Sequence, residues 1–188
     1  EEPTPDGSQS EWLPVAGAGA VRATAAARRQ EAVRVEALET EARARARAVG
    51  DVIFRADGAQ HKGHHAGVYE LQDEGRTLVN GRPTYKRADK EEFLFYGPRG
   101  TWFIYSGTSK NLGWWRVASD ALTPDRITET WEEATPDGSQ SEWLPVADAK
   151  VVRATPAILR QEAERVEALE AEARAQARAA GDVIFRAD

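Results

Sequence analysis

Three histidines lie close together in one segment of the chain. His61, His64 and His65 fall within the string HKGHH. Imidazole is the commonest protein ligand for transition metals, so this segment is the best candidate for a Zn or Cu site. A structural zinc site needs a fourth ligand, and Asp57 is the nearest acid. The spacing matches no standard zinc pattern, however, and a polar loop between two strands is the favoured interpretation. We therefore predict no metal site.

Motifs for covalent or phosphate chemistry do not stand out. Gly58, Gly63 and Gly67 fit neither a dinucleotide-binding loop nor a P-loop. The chain has no cysteine, which excludes thiolate catalysis and disulfides. Glu132 and Glu133 are adjacent, but neighbouring residues of a strand point to opposite faces, so these carboxyl groups should not converge. We predict that the protein is not an enzyme and needs no cofactor.

Aromatic residues form the second group with chemical potential. Adjacent Trp114 and Trp115 must face opposite sides if they lie on a strand. One ring is then available for a helix interface, an inter-repeat contact, or stacking on carbohydrate or protein. Trp102 and Trp131 are expected in the core, where aromatic residues of short strands usually lie.

Composition and charge narrow the classes of partner. The net charge is −6, from 25 basic and 31 acidic residues, which argues against general nucleic-acid binding. No apolar run approaches the length of about 18 residues that a membrane span requires. The absence of cysteine fits an extracellular or cell-surface location as well as a cytoskeletal one, so the localisation stays open.

An internal repeat dominates the organisation of the chain. Residues 1–57 align without gaps with residues 132–188 at an offset of 131, and they differ at eleven positions, which leaves 57 − 11 = 46 identities. The chain begins at Glu1 and contains no methionine, so we expect both ends to be cuts within a longer protein. Copies this similar suit a tandem array of 131-residue units better than an enzyme.

A long helix is predicted in each copy of the repeat. In the second copy Thr155 is a good N-cap, Pro156 suits the first helical position, and Gly181 suits the C-terminal cap, which gives a helix over 156–181. The first copy predicts the same helix over 25–50, about 37 Å long.

One face of each helix is apolar. Residues at steps of three and four form this face, with Leu159, Val166 and Leu169 in the second copy and Val35 and Leu38 in the first. We expect these residues to pack on a β domain, either of the same unit or of a neighbouring one.

The segment between the helices, 51–155, is predicted to be a complete β domain. Its short aromatic and β-branched runs are separated by turn signals such as Asn80-Gly81, which is typical of an antiparallel meander, a small barrel or a sandwich. Predicted strands are 51–56, 68–72, 82–87, 93–96, 102–105, 114–117, 130–133, 142–146 and 151–153. On the same logic, 1–24 is the C-terminal hairpin of a preceding β domain and 182–188 is the first strand of a following one.

Six motifs of the β segment form a recurrent pattern: GVYEL (67–71), VNGRPTYKR (79–87), LFYG (94–97), GTWFI (100–104), GWWRV (113–117) and TW (130–131). This pattern resembles that of a domain that recurs in large multi-domain proteins of algae and other protists. The resemblance covers about 100 residues, excludes the helices, and departs from the usual pattern at Phe95, where a tyrosine is common. The resemblance implies a β module of a repeat protein, and it implies no known activity.

These observations predict an α+β protein in which a small antiparallel β domain alternates with a single long amphipathic helix. The favoured function is a non-enzymatic scaffold module of a fibrous or filament-forming protein, whose partners are neighbouring repeats through self-assembly. The alternative is a multivalent array that binds carbohydrate or protein through exposed aromatics.

Overall fold

The computed structural model describes residues 25–108, 113–135 and 142–184, with side chains described as far as residue 178. The chain forms two compact units, residues 1–34 and residues 35–188. In the first unit, residues 25–34 are described, and all of them are helical and exposed. The hairpin predicted for 1–24 lies outside the described residues.

The second unit contains a nine-stranded antiparallel sheet and a separate two-stranded hairpin among its described residues. The sheet order is β10-β9-β8-β7-β6-β5-β2-β1-β11, so the strands from β5 to β10 form a meander, and β3 pairs with β4. The strands are β1 Val52–Arg55, β2 Gly67–Leu71, β3 Leu78–Val79, β4 Arg82–Pro83, β5 Tyr85–Arg87, β6 Phe93–Gly97, β7 Thr101–Tyr105, β8 Trp115–Ala118, β9 Trp131–Ala134, β10 Trp143–Val146 and β11 Lys150–Arg153. The predicted α+β class is confirmed.

The sheet curls into a half-barrel. The ring of Phe54 on β1 lies 4.9 Å from that of Trp115 on β8 and 5.1 Å from that of Trp131 on β9. Strands β1 and β8 are five places apart in the sheet order. In a flat sheet they would be separated by about 24 Å. The contact therefore requires strong curvature, which wraps the inner face around an aromatic core.

Alternation along the strands divides the residues between the two faces as predicted. Trp102 and Ile104 point into the core and are fully buried, whereas Phe103 and Tyr105 lie on the opposite face. Trp131 is also in the core, with 1% of its surface exposed. The core residues are Val52, Phe54, Ala56, Tyr69, Tyr85, Leu94, Tyr96, Trp102, Ile104, Trp115, Val117, Trp131, Val146, Ala149 and Val151.

The two predicted helices are present as α1 (Ala25–Val49) and α2 (Pro156–Ile184). Thr155 caps α2, since its Oγ1 accepts a hydrogen bond from Ile158 N (3.3 Å). After α1, Gly50 adopts the left-handed conformation (φ +67°) and its N–H bonds to Ala46 O at 2.8 Å, so the predicted glycine cap is confirmed there.

The predicted end of α2 at Gly181 is wrong. The helix continues through Gly181 to Ile184, so residues 182–184, predicted to begin a strand, are helical, and 185–188 lie outside the described residues. The identical segment after α1 forms β1, where Val52 and Ile53 pair with both β2 and β11. A glycine inside a helix costs only about 1 kcal/mol, so the helix propagates through it unless strand partners compete.

Candidate functional site

The three histidines lie in different environments, although the rings of His64 and His65 are 3.9 Å apart. His61 and His64 are exposed, whereas His65 has 3% of its surface exposed. Asp57, the predicted fourth ligand, instead forms an ion pair with Arg165. Among the described residues, no group of three or more His, Cys, Asp or Glu is arranged to hold a metal ion.

His65 is the centre of a buried polar cluster. Its Nδ1 lies 3.1 Å from Glu92 Oε2, and Arg87 Nη1 donates to the same oxygen at 3.3 Å. Burial lowers the pKa of His65 to about 4, although the hydrogen bond to Glu92 opposes this shift. The ring is therefore neutral at pH 7 and donates its Nδ1 proton to the carboxylate. Arg87 also donates to His64 O (2.6 Å), so the cluster ties the histidine loop to β5.

Tyr69 adds a hydrogen bond to the backbone of His65. Its hydroxyl donates to His65 O at 2.8 Å, and burial raises its pKa far above the ordinary value for tyrosine. The cluster thus combines a neutral imidazole, a neutral phenol and a carboxylate already paired with Arg87. This set of hydrogen bonds fixes the histidine loop on the β domain.

Glu133 on β9 binds the backbone of residues 60–62, which belong to the same loop. Its Oε1 accepts from Gln60 N (2.8 Å), and its Oε2 accepts from His61 N (3.1 Å) and Lys62 N (2.9 Å). The residue is 1% exposed, and Trp115 Nε1 donates to Lys62 O at 3.1 Å nearby. Three consecutive loop N–H groups are satisfied by one buried side chain, which closes the loop over the core.

The two adjacent tryptophans separate as expected for neighbouring positions. Trp115 is fully buried in the core, whereas Trp114 is half-buried and stacks on His65, with ring centroids 4.1 Å apart and planes at 12°. Tyr105 contacts the Trp114 ring at 4.9 Å. Trp114 thus covers the buried histidine.

Helix α2 is held to the β domain by a polar network. Arg55 on β1 donates to Glu162 Oε2 at 3.0 Å, and Arg165 bridges Glu162 (2.6 Å) and Asp57. Glu162 is 6% exposed. Burial alone would raise the pKa of Glu162, but Arg165 and Arg55 together hold it below the ordinary value. We call Arg55 and Asp57 the Arg55 seat.

A groove of about 1170 Å³ runs between α2 and the β domain. Leu159, Val166 and Leu169, the residues predicted to pack there, line one wall and remain 37%, 45% and 52% exposed. The ion pairs of Glu162 and Arg165 hold α2 beside this groove, which the apolar stripe alone did not indicate. In α1, Val35 and Leu38 are likewise partly exposed, at 43% and 37%.

Helix α1 reaches the β domain at a different place. Ala42 and Ala46 are fully buried, and a Cβ placed on Gly75 would lie 3.0 Å from Ala46 Cβ and 3.6 Å from Leu71 Cδ2. Arg43 Nε donates to Arg76 O at 3.3 Å. We call Leu71, Gly75 and Arg76 the Gly75 seat. Gly75 has φ +72°, a conformation that favours glycine and also leaves room for the helix.

Comparison with known proteins gives no match. No protein-family model, curated protein or solved structure matches the chain. None of the helices in the described part of the chain is long and apolar enough to cross a bilayer.

Proposed function

We propose that the chain is a non-enzymatic structural module of a long repeat protein that builds a fibre or scaffold. The observation that carries this proposal is that one β domain holds two copies of a repeated helix, identical at 25 − 7 = 18 of the 25 aligned positions, at two different seats. The Arg55 seat holds α2 and the Gly75 seat holds α1. A domain that binds the same element on two sides can be joined to neighbours on both sides, which suits assembly of repeating units.

The use of the buried ionisable groups supports the same proposal. His65, Glu92 and Glu133 are all committed to internal hydrogen bonds that fix one loop. An active site instead requires groups that can change protonation or partner during a reaction. The resemblance of the β segment to a recurrent algal and protist domain points the same way.

The alternative function, a multivalent array that binds carbohydrate or protein, depends on aromatic side chains at the surface. Trp114 is its best anchor, because the ring is half-buried and Trp115 is fully buried. Its stacking on His65 occupies part of the ring surface, which reduces the area available to a ligand.

Electron microscopy of a chain with several 131-residue units tests the structural proposal. Regular rods or fibres with one axial repeat per unit are expected, because near-identical units at equivalent seats repeat the same contacts. Separate domains at variable distances would contradict the proposal and favour independent binding modules.

A further inference from the structure

The two helices contact the β domain through opposite halves: α2 through its N-terminal half and α1 through its C-terminal half. In α2 the N-terminal half is held, since Glu162 and Arg165 reach the Arg55 seat. The equivalent residues of α1, 131 positions earlier, are Glu31 and Arg34. Their side chains are 56% and 68% exposed, and they pair with each other at 2.8 Å. The N-terminal half of α1 therefore carries the same glutamate and arginine that α2 uses at the Arg55 seat, and in α1 these two side chains pair with each other.

The C-terminal halves show the reverse. Ala42 and Ala46 of α1 are fully buried at the Gly75 seat, whereas their equivalents in α2, Ala173 and Ala177, are exposed. The arginine that lies between the two alanines also has different partners in the two helices. Arg43 both pairs with Glu39 at 2.9 Å and reaches the Gly75 seat, whereas its equivalent in α2 pairs with a glutamate of the helix.

The side chains required for docking are the same in both copies. Glu170, Ala173, Arg174 and Ala177 of α2 are identical in type to the residues of α1 that meet the Gly75 seat. We propose that the C-terminal half of α2 is a docking surface for a second copy of this β domain, received at that copy's Gly75 seat. This inference rests on the proposed repeat function and specifies which surfaces join consecutive units.

The close contact between the helix and the Gly75 seat limits which partner the C-terminal half of α2 can bind. Ala46 on the helix meets Gly75 on the domain, and Arg43 O lies 3.6 Å from a Cβ placed on the same glycine, so the backbones approach closely where larger side chains would prevent it. The arginine between the alanines adds a directional hydrogen bond to a main-chain carbonyl. A second copy of the β domain supplies both features.

Docking also determines how the end of α2 folds. After α1, the Asp51 carboxylate accepts a hydrogen bond from Leu71 N (2.9 Å), and Val52 and Ile53 continue as β1. The identical residues 182–184 are helical where no β2 or β11 of a following domain pairs with them in the described part of the chain. A docked second domain would convert Asp182 into the equivalent anchor and residues 183–184 into a strand.

The test uses a two-unit chain, in which residues 58–188 are repeated after Asp188. Hydrogen exchange followed by mass spectrometry reports on residues 170–184 in this chain and in the 188-residue chain. We expect exchange in this segment to slow to the rate of its equivalent, residues 39–53. In the 188-residue chain we expect faster exchange at 170–184 than at 39–53.

Two variants provide the matched comparison. Ala173→Arg places a large charged group on the docking face and should restore fast exchange at 170–184 in the two-unit chain. Ala175→Arg, on the opposite face, should leave the protection unchanged, as its equivalent Ala44 is exposed in α1. Both variants should be neutral in the 188-residue chain, which shows that neither prevents folding.

The outcomes separate this inference from the proposed function. If the strands of the second β domain are protected while residues 170–184 exchange as fast as in the single chain, the docking surface is wrong and the repeat module still stands. If the segment is protected but multi-unit chains show no regular assembly in the microscope, the docking stands and the scaffold function is wrong.

Discussion

Two of the buried charged residues, Glu133 and Arg87, hold backbone in place. Glu133 is the clearest case, because it lies on a strand of the half-barrel and binds three consecutive N–H groups of a loop distant in sequence. Its neighbour Glu132 faces outward and pairs with Arg116 at 2.6 Å, with 35% of its side chain exposed. Adjacent glutamates thus have unequal roles, which depend only on the face of the strand that each one occupies.

Glu133→Gln should destabilise the protein. Both carboxyl oxygens of Glu133 accept hydrogen bonds, so a glutamine would turn its NH₂ group towards a backbone N–H and leave that donor unsatisfied. The expected loss is about 2–3 kcal/mol in the free energy of unfolding, measured by urea denaturation. Glu132→Gln is the control and should cost at most about 1 kcal/mol, as for an exposed ion pair. Equal losses in the two variants would contradict the anchoring role.

His65 predicts a pH dependence of stability. Its folded pKa of about 4 lies below the ordinary value of 6.5, so the unfolded chain binds the proton more readily between these pH values. The associated stability is present above pH 6.5 and is lost as the pH falls towards 4, with an upper limit of about 3 kcal/mol. Unfolding measured from pH 7 to pH 4 should show a steeper loss for the native chain than for His65→Gln.

An NMR titration of the His65 ring checks the cause directly. The ring faces Glu92, Arg87 and His64, and its signals should titrate near pH 4 in the folded protein. A midpoint at or above 6.5 would show that the carboxylate of Glu92 outweighs burial, and the predicted loss of stability on acidification would then be wrong.

At the scale of elements, local sequence signals predicted most of the strands, but the single strand predicted at 82–87 is two strands in different sheets, β4 (Arg82–Pro83) and β5 (Tyr85–Arg87), and β3 was not predicted. Asn80 and Gly81 have φ of +50° and +77° and turn β3 into β4, as their residue types indicate. Pro156 after Thr155 marked the start of α2 correctly. The two seats could not be predicted in this way, because Arg55 and Glu162 are 107 residues apart and meet only after the sheet has curled.

The segment Gly-Asp-Val-Ile occurs twice, at 50–53 and at 181–184, and its secondary structure differs between the two places. After α1 its glycine caps the helix and the next residues form β1, whereas after α2 the same residues remain helical. The residues after α1 are paired on both sides, by β2 and β11, and a local sequence signal does not report such non-local pairing.

The repeat provides an internal control for the Arg55 seat. Glu162→Gln removes the charge that Arg55 and Arg165 share, and we expect a loss of about 1–2 kcal/mol, less than for a fully buried pair because Arg165 is one-third exposed. Glu31→Gln, the same substitution at the equivalent position of α1, should leave stability nearly unchanged, because the Glu31–Arg34 pair is exposed to solvent. Thermal unfolding of both variants measures the difference, and equal effects would show that the Arg55 seat does not hold α2.

At the scale of the whole molecule, the two halves of each helix fix the spacing of neighbouring domains. Residues 162 and 173 are eleven positions apart, or about three turns and 16 Å, so they lie on the same face of α2. A domain of about 100 residues has a radius of gyration near 13 Å. A sphere with that radius of gyration is about 34 Å across, so two β domains held 16 Å apart on one face would each contact the helix near an edge and would touch each other, with no free linker between them.

The proposed docking therefore predicts the motion of the two-unit chain. Both β domains should tumble as one body, because each is fixed to the same helix within a few turns. ¹⁵N relaxation of each domain should give a rotational correlation time close to that of the whole chain. Ala173→Arg should release the second domain and shorten its correlation time, whereas Ala175→Arg should leave both times unchanged. Short, independent correlation times in the native two-unit chain would mean that the helix acts as a tether, and the rigid-array interpretation would then fail.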